Sequence, residues 1–333
     1  MILSIFIFLL IIIIIIVLKN KEQYYNYFKF YHLKFLSKTN ACTILKSIKT
    51  LNNYNDLDFK IRNINKNKYK NNVYKHYCER LEDFTKSEKL ILNWAYEELQ
   101  KNTPKDLLFI YKDIKIAKYE DGVENNFPHT HKDTMFFSST YIKNLIPYFN
   151  RSDVENMIKS FGAVIIHECI HIWQRRNPEI FYKLYIYYWN FIKVNKINNN
   201  KYKYLCRYNP DGPDINWVFS YKDKHILPIS LYKENASNIG SVENVGISLA
   251  KKGNRFTVEN NDNEVNNLTN IKIFTDFFKH VNGNNYHPNE LSAELISIYY
   301  LKEMNISHDN FDNKAFKKLC VWFEEVKKKK KLI

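Results

Sequence analysis

The chain has 333 residues, with 50 Lys or Arg against 35 Asp or Glu and a formal charge of +15. Tyr 25 and Phe 23 against Gly 7 and Pro 8 supply apolar area for one large or two modest cores, and exclude a collagen-like or Gly/Pro-rich low-complexity chain. The lysines are scattered without Arg clusters or Gly-aromatic signatures, so no nucleic-acid partner is expected.

Met1 to Leu18 is apolar except for Ser4, with an unbroken isoleucine run from Ile11 to Ile16. That length lies at the short end of what crosses a bilayer, and the basic start and small-residue exit of a cleaved signal are missing. A single-pass transmembrane anchor over 1–19 is expected, tethering the body to the membrane. Lys19, Lys21, Lys29 and Lys34 follow it, which puts the body on the cytoplasmic side by the positive-inside rule. Cys42, Cys78, Cys169, Cys206 and Cys320 are widely spaced without a C-x-x-C, and read as free, mostly buried thiols in a reducing setting. Residues 20–84 are Lys/Asn/Tyr-rich and read as a membrane-proximal region of short helices, poorly ordered around Asn63 to Asn72.

Residues 85–333 read as one domain. Thr85 and Glu88 form a capping box opening a helix to about Gln100. Leu107 to Tyr119 alternates like strands, Asp121-Gly122 is a turn, and Asp133 to Ser138 is a further short strand. An edge strand of this small sheet can bind extended substrate by main-chain pairing. His129 and His131, just before the last strand, read equally as cleft-lining and as surface residues. Helices follow near 140–149 and 152–176, the second capped by Ser152 with Glu155.

That second helix carries His167-Glu168-Cys169-Ile170-His171 between Val164-Ile165-Ile166 and Ile172-Trp173. In this H-E-x-x-H pattern the two His, four apart, share one helix face and can grip one zinc ion. Glu168 projects to one side of the pair, where it can take a proton from zinc-activated water without being a ligand. Two His and a Glu in an otherwise apolar helix are costly unless satisfied, and a metal satisfies them. Cys169 falls at an apolar position and reads as core. The metzincin continuation fails, because Gln174 and Asn177 stand where it needs Gly and a third His.

Asn177-Pro178 starts a helix to about Val194. Asn209 to Asp214 is a turn cluster whose chemistry explains Asp211 and Asp214 without metal ligation. Strands over 215–221, 225–232 and 242–249 form a β insertion that could wall a cleft, with His225 or a Tyr as oxyanion donor. Helices near 271–281, 288–304 and 312–330 close the chain, and the run Lys327 to Lys331 is a solvated tail.

In Asn289-Glu290-Leu291-Ser292-Ala293-Glu294, Glu290 and Glu294 lie on one face of the helix after Pro288. Together with the first motif, this pattern resembles the gluzincin-type metallopeptidases. The resemblance implies zinc ligation by His167, His171 and Glu290, base catalysis by Glu168, and orientation of a ligand His by Glu294. The gap between the helices is longer than in compact members, which leaves Glu294 or His287 open as the third ligand. The expected molecule is thus α+β, a zincin-like domain of small mixed sheet plus active-site helix, with a β insertion and C-terminal helices. Its expected activity is zinc-dependent hydrolysis of peptide or protein substrates. The alternatives are hydrolysis of a non-peptide amide and a non-catalytic, membrane-tethered scaffold that keeps the helix pair.

Overall fold

The computed structural model describes residues 30–198, 202–212, 216–259, 264–279, 281, 283–307 and 313–330, and they form an α+β molecule. The apolar segment expected to anchor the chain lies outside the described residues. Among the described residues no helix is long and apolar enough to cross a membrane.

A first, mixed sheet contains β1 (Lys34–Phe35), β2 (Leu81–Glu82), β3 (Lys115–Tyr119), β4 (His129–His131) and β5 (Thr134–Ser138). β1 and β5 run parallel to β3, β2 is antiparallel to it, and β4 forms the far edge antiparallel to β5. Successive side chains of a strand point to opposite faces. Ile116, Met135 and Phe137 accordingly face the main helical core, while Ala117, Tyr119 and Phe136 face a second core. Short helices of residues 38–79 cover that second face, so residues 30–84 supply two strands and one layer of the body. The stretch around Asn63 to Asn72, expected to be poorly ordered, is helical at Lys66–Tyr69, because Ile64 and Tyr69 are buried against this layer.

The reading of all five cysteines as free thiols is corrected here. The helices Lys38–Lys46 and Val73–Glu79 lie side by side, which brings Cys42 and Cys78 to a Cα separation of 5.0 Å in a disulfide. No sequence spacing signals that contact. Cys169, Cys206 and Cys320 are free, and Cys169 is core as expected.

The main core is built from the helices Lys86–Asn102, Ala163–Arg176, Pro288–Glu303 and Lys314–Lys330. The first opens on the expected Thr85/Glu88 capping box. A π-helical turn, Ile158–Gly162, leads into the second. Gly162 lets it approach its neighbour, since a Cβ there would meet Leu99 Cδ1 at 3.1 Å. Ser152 does not cap this segment; it ends the preceding helix at φ 51, and the Asp153 carboxylate accepts from the Asn156 N–H instead. Only Lys115–Tyr119 of the expected Leu107–Tyr119 strands is extended. Lys105–Tyr111 forms 3-10 turns, because Leu107, Ile110 and Tyr111 bury one helical stripe.

The β insertion is larger than expected. β6 (Phe191–Lys193), β7 (Ile197–Asn198), β8 (Trp217–Tyr221), β9 (Lys224–Tyr232), β10 (Val242–Lys252), β11 (Arg255–Val258) and β12 (Val265–Asn267) form one seven-stranded sheet around the β8–β9–β10 meander. The helix begun at Pro178 ends by Tyr188, since Phe191 turns into this sheet's buried face. Near 271–281 only Lys272–Thr275 is α-helical.

Candidate metal centre

The Ala163–Arg176 and Pro288–Glu303 helices bring His167, His171 and Glu290 together although Glu290 is remote in sequence. Pro288 in the first turn and the His287 ring, which accepts the Asn289 N–H at 3.1 Å, start the second helix where its first turn meets the imidazoles. His167 Nε2 lies 3.0 Å from His171 Nε2 and 3.5 Å from Glu290 Oε2, and His171 Nε2 lies 3.6 Å from Glu290 Oε1. The two Glu290 distances end on different oxygens of its carboxylate, and one ligand atom from each of the three residues lies within 4.8 Å of the other two, a triangle small enough to close on one ion. The donor set, two imidazoles and a carboxylate, suits zinc chemically as well.

The outer nitrogens orient the rings. Gln174 Oε1 lies 2.9 Å from His171 Nδ1, and Gln174 itself donates to Asn289 O and Ser292 Oγ, both at 2.8 Å. With Nδ1–H given to that amide, His171 Nε2 keeps its lone pair for the cluster. His167 Nδ1 faces Glu294 Oε2 at 3.8 Å. His287 caps its helix and is not part of the cluster.

Glu168 is buried, and its Oε2 has no hydrogen-bond partner among the described residues. Burial, with the Asp211 carboxylate next in effect, pushes its carboxyl up to about 7. Burial works against the charge of Glu290 as well, but the two imidazoles outweigh it and hold that carboxyl well below its usual range.

The turn cluster has a larger part than turn chemistry gave it. Asn209 Nδ2 donates to Glu290 Oε1 at 2.8 Å and to the Tyr286 hydroxyl, fixing the carboxylate from outside. Asp211 is buried, pairs with Arg175 Nη2 at 2.6 Å, and accepts from Thr130 Oγ1. Its carbonyl takes the Asn289 Nδ2 amide at 2.8 Å. Asp214 lies outside the described residues. Gln174 was legible in principle, three residues after His171 on the same face; Asn209, Tyr286 and Arg175 had no comparable sequence signal.

The edge of β4 is not open to substrate, which corrects the expectation of main-chain pairing there. Arg175 Nη2 donates to Thr130 O at 3.1 Å, Nη1 to Thr130 Oγ1 at 2.6 Å, and Thr130 N donates to Asp211 Oδ2 at 3.4 Å. Both main-chain groups of Thr130 are therefore taken by side chains. The cleft runs past this strand, a cavity of about 620 Å³ lined by the cluster, Ala163, Val164, Tyr286 and Arg207. His225 lies apart from it, bonded to Ser220 Oγ and edge-on to Phe256 in the second sheet, so it is not the oxyanion donor.

His129 and His131 are buried rather than surface residues, and His129 lines the cleft. Burial pushes His131 down to about 3, with His129 and Arg175 adding to the shift and Asp211 opposing it. Because its folded value lies below the ordinary ~6.5, the unfolded chain takes up a proton that the folded one refuses. Stability should fall as pH drops from ~6.5 towards 3, by roughly 3 kcal/mol at pH 4 from this group. Urea unfolding at pH 7 and pH 4 should show a smaller acid loss in His131→Gln than in the parent; equal losses would refute the assignment.

Comparison with protein-family models, curated proteins and solved structures gives no match to this chain.

Proposed function

We propose that the chain is a zinc-dependent metallopeptidase with a zincin-like arrangement, tethered to a membrane by its N-terminal apolar segment. The observation that carries the reading is the convergence of His167, His171 and Glu290 on one point, with a buried carboxylate oxygen of Glu168 that has no partner among the described residues beside it. The likeness of both motifs to the gluzincin-type pattern supports it. Zinc held by these three residues supplies Lewis-acid polarisation of a carbonyl and activation of water. Glu168 takes a proton from the attacking water and hands it to the leaving amine as the C–N bond breaks, while the hydroxyl ends on the acyl carbon. Gln174 holds the His171 imidazole, Glu294 faces His167 Nδ1 from 3.8 Å, and Asn209 holds Glu290. A scaffold without turnover would have no use for an unsatisfied carboxylate in its cleft.

The Cys42–Cys78 bridge supports placing the body in a disulfide-forming compartment. It outweighs the lysines behind the apolar segment, because this chain is lysine-rich throughout.

Metal analysis of the purified full-length chain tests the reading. About one zinc per chain is expected, with peptide cleavage in a broad library. Glu290→Ala should lose the metal, whereas Glu294→Ala should bind it roughly 10–100-fold more weakly. Full zinc occupancy in Glu290→Ala would overturn the ligand set.

A further inference from the structure

The metal cleft contains a second group with no established use, Arg207. Its backbone N–H is tied to Ser230 O at 3.0 Å beside the Cys206–Leu231 bridge, so the second sheet fixes where the side chain starts. Its Nη2 donates to the Tyr286 hydroxyl at 2.7 Å and its Nη1 to Ile239 O at 3.4 Å, while Nε is buried without a partner. Among the described residues no carboxylate pairs with it. The contrast with the cleft's other arginine is plain: Arg62 holds Asp58 and Glu124. The carboxylates that share the cleft, Glu290 among them, act on Arg207 without a direct ion pair. A guanidinium cannot shed its proton to escape burial, so one whose Nε has no partner among the described residues and that pairs directly with no carboxylate is a place for a ligand's anion.

Its position relative to the cluster is set by shared partners. Tyr286 accepts from both Arg207 and Asn209, and Asn209 also donates to Glu290. Three hydrogen bonds in series separate Arg207 from Glu290, at most roughly 8 Å. One extended residue spans ~3.3–3.6 Å, so a carboxylate on Arg207 would lie one or two residues from a carbonyl at the cluster. The closed edge of β4 points the same way. A substrate that cannot be gripped by main-chain pairing at Thr130 needs an anchor of another kind.

We propose that Arg207 is the specificity-determining residue of the cleft and binds a substrate carboxylate one or two residues from the scissile bond. The inference rests on the metallopeptidase reading. Two sources carry that chemistry, the free C-terminus of a short peptide and an Asp or Glu side chain.

The experiment gives the full-length, zinc-loaded chain matched peptides with free or amidated C-termini, and with Asp/Glu or Asn/Gln near the scissile position. Mass spectrometry locates the cuts. A loss of kcat/KM on the order of 10²-fold on amidation, abolished in Arg207→Gln and partly kept in Arg207→Lys, supports the terminal carboxylate. The same loss on Asp/Glu to Asn/Gln exchange, again only with Arg207 present, supports the side-chain source. Cleavage indifferent to both changes overturns the proposal and leaves the peptidase reading standing. Calorimetric titration of the Glu168→Gln chain with an N-acetylated tetrapeptide and its amide reads the same contact without turnover. The same titration compares Asp/Glu with Asn/Gln peptides; tighter binding of either acid form, lost in the added Arg207→Gln change, supports the proposal, and binding indifferent to both exchanges overturns it. No cleavage of any peptide would instead strike at the peptidase reading, with the titration still deciding Arg207.

Discussion

Glu168→Gln is expected to bind zinc as the parent does and to hydrolyse peptides 10²–10⁴-fold more slowly, the usual range for a lost general base. The exchange is nearly isosteric, so the buried corner that Glu168 fills is not emptied. None of the three donors in the triangle belongs to Glu168, and the carboxylate oxygen without a partner is the atom the mechanism uses. An amide in its place can neither take the proton from water nor return it to the amine. Metal content by mass spectrometry and initial rates on one cleaved peptide give the two readouts separately. Loss of zinc in this variant would mean that Glu168 belongs to the metal, and undiminished rates would remove it from the reaction.

Arg62→Met should be the most damaging single change to the fold, at about 3–5 kcal/mol, the range for removing one member of a buried ion pair. The Arg62 side chain is 4% exposed, and its partners Asp58 and Glu124 are 1% and 7% exposed. Its guanidinium reaches Asp58 Oδ1 at 2.6 Å, Glu124 Oε1 at 2.8 Å, the Tyr232 hydroxyl at 2.8 Å and Tyr208 O at 2.9 Å. Burial opposes the charge on Glu124, but Arg62, helped by His129 and the Tyr77 hydroxyl, holds that carboxyl at about 2. A carboxyl held below its ordinary value adds stability above that value, and the gain is lost as pH falls towards 2. Without the arginine, two carboxylates share a buried corner with no cation between them. Chemical unfolding at pH 7 measures the loss. Adding Asp58→Asn and Glu124→Gln to Arg62→Met should restore most of it; no recovery would show that Arg62 acts through packing rather than charge.

The cluster of His167, His171 and Glu290 could be read from the sequence because each motif is local. His167 and His171 share a helix face by spacing alone, and Glu290 stands in the first turn of a helix announced by Pro288. The strand pair over 217–232 and the Thr85/Glu88 cap were legible for the same reason. What escaped depends on contacts between distant segments. Arg62 meets Glu124 and Tyr232 across 62 and 170 positions, and Asn209 meets Glu290 across 81. No periodicity links such partners, and in an Asn- and Lys-rich chain their residue types do not stand out. The 3-10 turns at Lys105–Tyr111 were misread for a different reason, since a short apolar run satisfies strand and helical templates alike.

The turn at residues 209–212 joins parts that the chain order keeps far apart. It clasps the Ala163–Arg176 helix through Arg175, the Pro288–Glu303 helix through Asn289, and Glu290 itself through Asn209. The polypeptide between the two motifs therefore works as a hand reaching back to steady the grip. A loosened second sheet would be felt in the cluster as a misaimed Glu290, with none of its three residues altered.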